Sequence, residues 1–306
     1  MQNNTHKKSM FIPRGFNERS VLTKLGRMVY YTAQGEPWNE HTPTEALVFL
    51  HGFGGGSCAY EWSKVYPAFA ADYQVLAPDL IGWGRSDHPA RGYTAEDYIG
   101  TIIEFMEQVC SVPTTVIASS LTAAFTIRAA IARPELFKSL IVTTASGLSE
   151  FGQDYRRSGF AQFAQAVNAP FLNQLLYGTG VANSFGIRNF LERRQFANAS
   201  LVSPEIVDAY LESAQRENAE YAALSFVRGD LCFDLSSYIT KLTIPTAMIW
   251  GKGSQFTNPN VGRDLAAMNP EVIRRFYYLD DVGFTPQLEQ PAVMIGLIRQ
   301  ILPLLE

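Results

Sequence analysis

Short apolar runs alternate with longer amphipathic stretches along most of this chain. Met28–Ala33 (MVYYTA) reads as an early strand. Ala46–Leu50 (ALVFL) is a continuous apolar run, the kind buried on both faces of a parallel sheet. Tyr73–Ala77, Thr115–Ile117 and Ser139–Ala145 repeat that pattern, and helices are predicted between them over Tyr60–Ala71, Thr94–Cys110 and Leu121–Ala132. Thr94, with Asp97 three residues on, marks a capped helix start. Strand, loop and helix thus recur in turn, which predicts an α/β fold with a mostly parallel central sheet and helices on both faces.

The rhythm changes after Gly147. From Leu148 to Leu242 no buried strand is expected, only helix-like segments broken by Pro170, Gly178, Gly180, Gly186 and Pro204. Strands return at Pro245–Trp250 and Arg274–Leu279, and Ala292–Leu305 reads as a closing helix. The expected organisation is a flexible arm over 1–22, a core formed by 23–147 with 243–306, and a helical cap insertion over 148–242. Such insertions lie over the strand ends, where open α/β sheets place their ligands. Phe151, Phe160, Phe163, Phe171, Leu172 and Leu175 either line an apolar mouth there or pack within the insertion.

The composition narrows the class. A 306-residue chain with 47% hydrophobic residues can bury a large core, and a net charge of −4 offers no basic field, so nucleic acid is not expected as a partner. The three cysteines (Cys58, Cys110, Cys232) lack metal-like spacing and read as reduced thiols, and no metal or cofactor is expected. No apolar run is long enough to span a membrane, and the first residues lack a secretory hydrophobic segment. A cytoplasmic placement is expected, with peripheral membrane contact left open.

Thr114–Ala132 (TTVIASSLTAAFTIRAAIA) is where the chemistry concentrates. A strand that enters a helix this abruptly needs small residues two positions either side of the apex. Ala118 meets that need if Ser120 is the apex; an apex at Ser119 would put Ile117 there. This is the layout of a nucleophile elbow, which presents a serine hydroxyl above a sheet on a strained turn. Thr122, on the far side, is bulkier than the usual glycine. The alternative is an ordinary strand–helix junction with serines capping the helix.

With FLHGFGGG after one strand, APDLIGWGRSDHP after the next, VIASSLT at the elbow, then IPTAMIWG and VGFTPQLEQP, the sequence resembles the α/β-hydrolase superfamily over roughly residues 25–305. It is most similar to the capped single-domain branch of esterases, haloalkane dehalogenases and epoxide hydrolases. It also resembles members from cyanobacteria and chloroplasts, which would place it in the plastid stroma were the source a photosynthetic eukaryote. The resemblance implies an oxyanion hole made by the backbone N–H groups of Phe53 and Leu121. It gives His51 a structural role, and makes Asp79, Gly82, Gly84, Arg85, Ser86 and Asp87 a fold-shaping loop followed by a solvated His88.

The family's acid is expected in W-G-x-x-D, where this chain has Trp250-Gly251-Lys252-Gly253-Ser254. Its histidine is expected in G-H-x-P, where this chain has Gly283-Phe284-Thr285-Pro286. Ser254 and Phe284 therefore stand at the acid and base positions. All four histidines (His6, His41, His51, His88) precede Ser120, so no alignment shift restores the base. Losing a triad base typically costs about 10⁴–10⁶ in rate. His51 and Asp281 are the candidate replacement bases, with Asp280 and Asp281 more simply a loop-end pair. The leading expectation is a non-catalytic member that binds a hydrophobic small molecule or acyl-type ligand, or a protein partner. The alternative is an unorthodox serine hydrolase that still uses Ser120.

Overall fold

The computed structural model describes residues 11–38, 43–153, 177–254 and 258–306. Its centre is an eight-stranded sheet of order β1-β2-β4-β3-β5-β6-β7-β8. The strands are β1 (Phe16–Thr23), β2 (Gly26–Ala33), β3 (Ala46–Leu50), β4 (Gln74–Pro78), β5 (Thr114–Ser119), β6 (Phe137–Thr143), β7 (Thr246–Gly251) and β8 (Ile273–Leu279). β1 and β2 form an antiparallel hairpin and β2 pairs antiparallel with β4. From β4 onward all pairings are parallel. β3 and β5 are buried at every residue, as their unbroken apolar runs require.

Two helices set the elbow. α1 (Ala95–Val109) opens with the expected capping box, Thr94 and Asp97 bonding each other's backbone N–H. α2 (Ser120–Ala132) is buried on all sides, which suits its Ala-rich, apolar sequence. It packs against α1 on one face of the sheet, while the closing helix Pro291–Ile301 contributes Met294, Ile298 and Ile301 to the separate cluster on the other face.

Between β6 and β7 the described residues form helices α3 (Ser184–Phe190), α4 (Pro204–Ala214) and α5 (Ala219–Val227), with no strand of the sheet. Of the apolar-mouth candidates, Phe151 is half-exposed; Phe160, Phe163, Phe171, Leu172 and Leu175 lie outside the described residues, as do His6 and His41. No described helix is long and apolar enough to cross a membrane.

Two expectations need correction. The arm does not extend to residue 22, because Phe16–Thr23 is an edge strand. Glu18 and Arg19 mask it in the sequence: charges on an edge discourage pairing with other chains and erase the apolar signature. Tyr60–Ala71 is not one α-helix but two short 3₁₀ turns, Ala59–Trp62 and Tyr66–Phe69. Pro67 supplies no N–H and disfavours helical backbone at the residue before it.

Candidate functional site

β5 delivers Ser119 in extended backbone, and the next residue, Ser120, has φ 62° before α2 begins. A non-glycine residue in that left-handed region costs roughly 1–2 kcal/mol. Ser119 makes no capping hydrogen bond to α2, so the serines here do not serve as helix caps. Ser120 is almost fully buried at the C-terminal end of the sheet, and its hydroxyl is hydrogen-bonded to none of the described residues.

The loop after β3 comes up against this turn at Gly52. A Cβ built on Gly52 would sit 3.3 Å from Ser120 Cβ, 3.5 Å from Ser119 Oγ and 3.3 Å from Glu61 Oε2. Glycine is thus what lets loop and elbow meet. The N–H groups of Phe53 and Leu121 donate to none of the described residues. The Phe53 ring is buried against Trp83, Tyr98 and Phe125 and anchors the loop. Farther along, Gly56 (φ 94°) passes so near α4 that an added Cβ would meet the Tyr210 carbonyl oxygen at 2.2 Å.

His51 is wholly buried and both its ring nitrogens are engaged. Nδ1 faces the Gly52 carbonyl at 2.8 Å, and Nε2 accepts from Leu80 N–H at 3.0 Å. Burial lowers its pKa, which keeps the ring neutral. A ring so held ties the loop after β3 to the loop after β4 and has no free nitrogen for Ser120. In that second loop Asp79 accepts from Tyr31 Oη (2.9 Å), Ala59 N–H (2.8 Å) and Arg85 N–H (2.9 Å), and burial raises its carboxyl above the usual range. His88 is not solvated as expected: it is half-buried with Nε2 3.1 Å from the Gly84 carbonyl, and burial lowers its pKa.

The loops after β7 and β8 are pinned together by Gly253 N–H to the Val282 carbonyl (2.8 Å) and Lys252 N–H to the Leu279 carbonyl (2.9 Å). Ser254 is half-buried on the first and Phe284 buried on the second. Asp281 is exposed in left-handed backbone, and neighbouring Asp280 pairs with Lys252 at 2.7 Å. The segment following α3 docks onto these same loops. Phe284 N–H donates to the Gln195 carbonyl (2.7 Å), and Ala197 N–H donates to Glu289 Oε2 (2.8 Å). The Glu289 carboxyl is raised by burial, with backbone N–H donors pulling the other way.

One cluster escaped the sequence reading. Glu61 is wholly buried, with Oε2 accepting from Gly52 N–H (2.8 Å) and Gln287 Nε2 (3.3 Å), and Oε1 from Tyr210 Oη (2.9 Å). Gln287 Nε2 also lies 3.3 Å from Ser119 Oγ, and Gln195 Nε2 donates to Tyr210 Oη at 3.2 Å. The loop after β3, the Ser119–Ser120 turn, the loop after β8 and α4 thus meet around one carboxylate. The available signal was a lone acidic residue inside the aromatic stretch Ala59-Tyr60-Glu61-Trp62. Among the described residues the buried Oε1 atoms of Gln195 and Gln287 have no partner, so the cluster retains unused acceptors. No group of three metal-ligating side chains occurs among the described residues.

The family described as alpha/beta hydrolase fold matches residues 45–291. An uncharacterised hydrolase of Bacillus subtilis is 25% identical over 278 residues, covering 89% of this chain and 93% of that protein. A strigolactone esterase of Pisum sativum is 35% identical over 121 residues, covering 38% of this chain and 44% of its own length. Among solved structures, the epoxide hydrolase CorEH superposes with a TM-score of 0.75 at 20% identity, over 94% of this chain and 99% of that one.

Proposed function

The chain belongs to the α/β-hydrolase family, and we propose that this member is a receptor that binds an apolar ligand through a carbonyl oxygen without turning it over by a serine–histidine–acid mechanism. The observation that carries the reading is an open pair of backbone donors beside a serine that lacks a base. The Phe53 and Leu121 N–H groups are unpartnered among the described residues, and every histidine precedes Ser120. A serine hydroxyl attacks poorly unless a positioned group takes its proton. Phe284 cannot take one, and His51 is spent on the backbone at both nitrogens. Phe284 in place of an imidazole also makes the site less polar, which suits an acyl chain.

A second reading, a serine hydrolase with an unusual base, is favoured by the strain kept at Ser120 (φ 62°) and by the hydrolase and esterase names of its relatives. Fluorophosphonate labelling read by intact mass separates the two, with Ser120→Ala as control. The receptor reading expects no Ser120-dependent adduct and 4-nitrophenyl octanoate hydrolysis equal to that of Ser120→Ala. Stoichiometric labelling that vanishes in the control overturns it.

A further inference from the structure

Every contact to the Glu61 carboxylate comes from a donor. Gly52 N–H and Gln287 Nε2 supply Oε2, and Tyr210 Oη supplies Oε1. The Tyr210 hydroxyl already accepts from Gln195 Nε2, so its own proton lies toward Glu61. As placed, Gln287 presents its Nε2 and not its unpartnered Oε1 to Glu61, so no acceptor faces either carboxylate oxygen, and no described Lys or Arg pairs with the group. The arrangement is that of an uncompensated anion held by neutral dipoles.

We propose that Glu61 determines ligand class: it makes the site selective for a neutral carbonyl oxygen and disfavours a carboxylate or an oxyanion. The inference rests on the reading of Phe53 and Leu121 as the ligand's hydrogen-bond donors. The Glu61 oxygen lies 2.8 Å from Gly52 N, and the Phe53 N–H follows one residue later. An oxygen held by Phe53 is therefore within about 9 Å of the Glu61 charge. At an effective dielectric of about 20, a second full charge at about 9 Å is disfavoured roughly twentyfold, while a neutral ester or amide oxygen is almost unaffected. The compatible ligands are neutral acyl compounds: esters, amides, lactones or ketones with an apolar chain.

The test compares octanamide with octanoate, which share a chain and differ in charge, by titration of the ¹⁵N-labelled protein near pH 7. Wild type is expected to bind octanamide at least tenfold more tightly. Glu61→Gln should erase most of that difference. Tyr210→Phe removes a contact to the same carboxylate but keeps its charge, and should leave the preference largely in place. Tighter binding of octanoate by wild type overturns the inference without any variant, so it stays testable if Glu61→Gln fails to fold. An unchanged preference in folded Glu61→Gln, or equal loss in both variants, also overturns it. If neither probe binds, the acyl-receptor reading has failed, and acetate against acetamide on the Phe53 and Leu121 amide resonances decides the role of Glu61. Shifts favouring acetamide in wild type but not in Glu61→Gln support it; shifts favouring acetate, or equal ones, refute it.

Discussion

On the receptor reading proposed above, restoring the two missing groups should convert the protein into a weak hydrolase. The perturbation is Ser254→Asp with Phe284→His. The two positions lie on loops already joined by the Gly253–Val282 hydrogen bond, and Gln287, three residues beyond Phe284, reaches within 3.3 Å of Ser119 Oγ. The strained serine and open N–H donors are in place, so the double substitution supplies only the base and its orienting acid. A base is worth about 10⁴–10⁶ in rate. An imidazole about 1 Å out of position forfeits roughly 10². The Glu61 charge takes back about twentyfold more from a developing oxyanion. What remains is a gain of roughly 5- to 500-fold over wild type. The assay is 4-nitrophenyl octanoate turnover with fluorophosphonate labelling, and Ser120→Ala in the same background as control. Phe284→His alone should gain much less, because an unoriented imidazole has neither the right tautomer nor a partner for its charge. A folded double variant with no Ser120-dependent turnover would refute the claim that only acid and base are missing. The single and double variants acting alike would refute the role given to position 254.

Two further outcomes follow from the same geometry. Ser120→Gly should stabilise the fold by roughly 0.5–1 kcal/mol, since relief of about 1–2 kcal/mol of left-handed strain exceeds the extra chain entropy of glycine, whereas Ser120→Ala keeps the strain; thermal denaturation of the three proteins in parallel checks this, and equal midpoints for the Gly and Ala variants contradict it. His88 is held neutral by burial, so its folded pKa lies below its unfolded one; the stability this confers is complete above about pH 6.5 and is lost as pH falls from there toward the folded pKa, at up to about 1.4 kcal/mol per pH unit. His88→Gln should therefore lose less stability than wild type between pH 7.5 and 5.5 in urea titrations, and parallel losses would count against it.

The legible parts of the sequence were those governed by local pattern. β3, β5 and the elbow were readable because a strand buried on both faces must be apolar throughout and an abrupt strand-to-helix turn must be flanked by a small residue. β1 was hidden because an edge strand carries Glu18 and Arg19 for reasons unrelated to packing. The short 3₁₀ turns around Pro67 look like a helix in the sequence because burial of Trp62, Tyr66 and Phe69 imitates helical periodicity. Glu61 was invisible for a different reason. Its partners Gly52, Tyr210 and Gln287 come from three distant parts of the chain, and no periodicity encodes a carboxylate satisfied only by the assembled fold.

Receptor and hydrolase make opposite demands on one carbonyl oxygen. A hydrolase must favour the oxyanion over the neutral carbonyl, because only what is stronger in the transition state accelerates the reaction. A receptor must hold the neutral carbonyl and leave it unchanged. Two features here lean the same way: the base position holds Phe284, and the buried Glu61 side chain lies behind the donor loop. Either alone would slow hydrolysis; together they also favour the ligand over its tetrahedral adduct. Simple decay of an enzyme does not account for the third feature. Once attack is lost, nothing keeps a serine at φ 62°, since glycine removes the strain. A strained serine beside open donors suits a hydroxyl that contacts the ligand directly, as a hydrogen-bond donor rather than a nucleophile. The loops that bear Ser254 and Phe284 meanwhile hold the segment at Gln195 and Ala197. An imidazole needs room to exchange protons with its substrate, whereas a phenyl ring beneath a docked segment only needs to fill space.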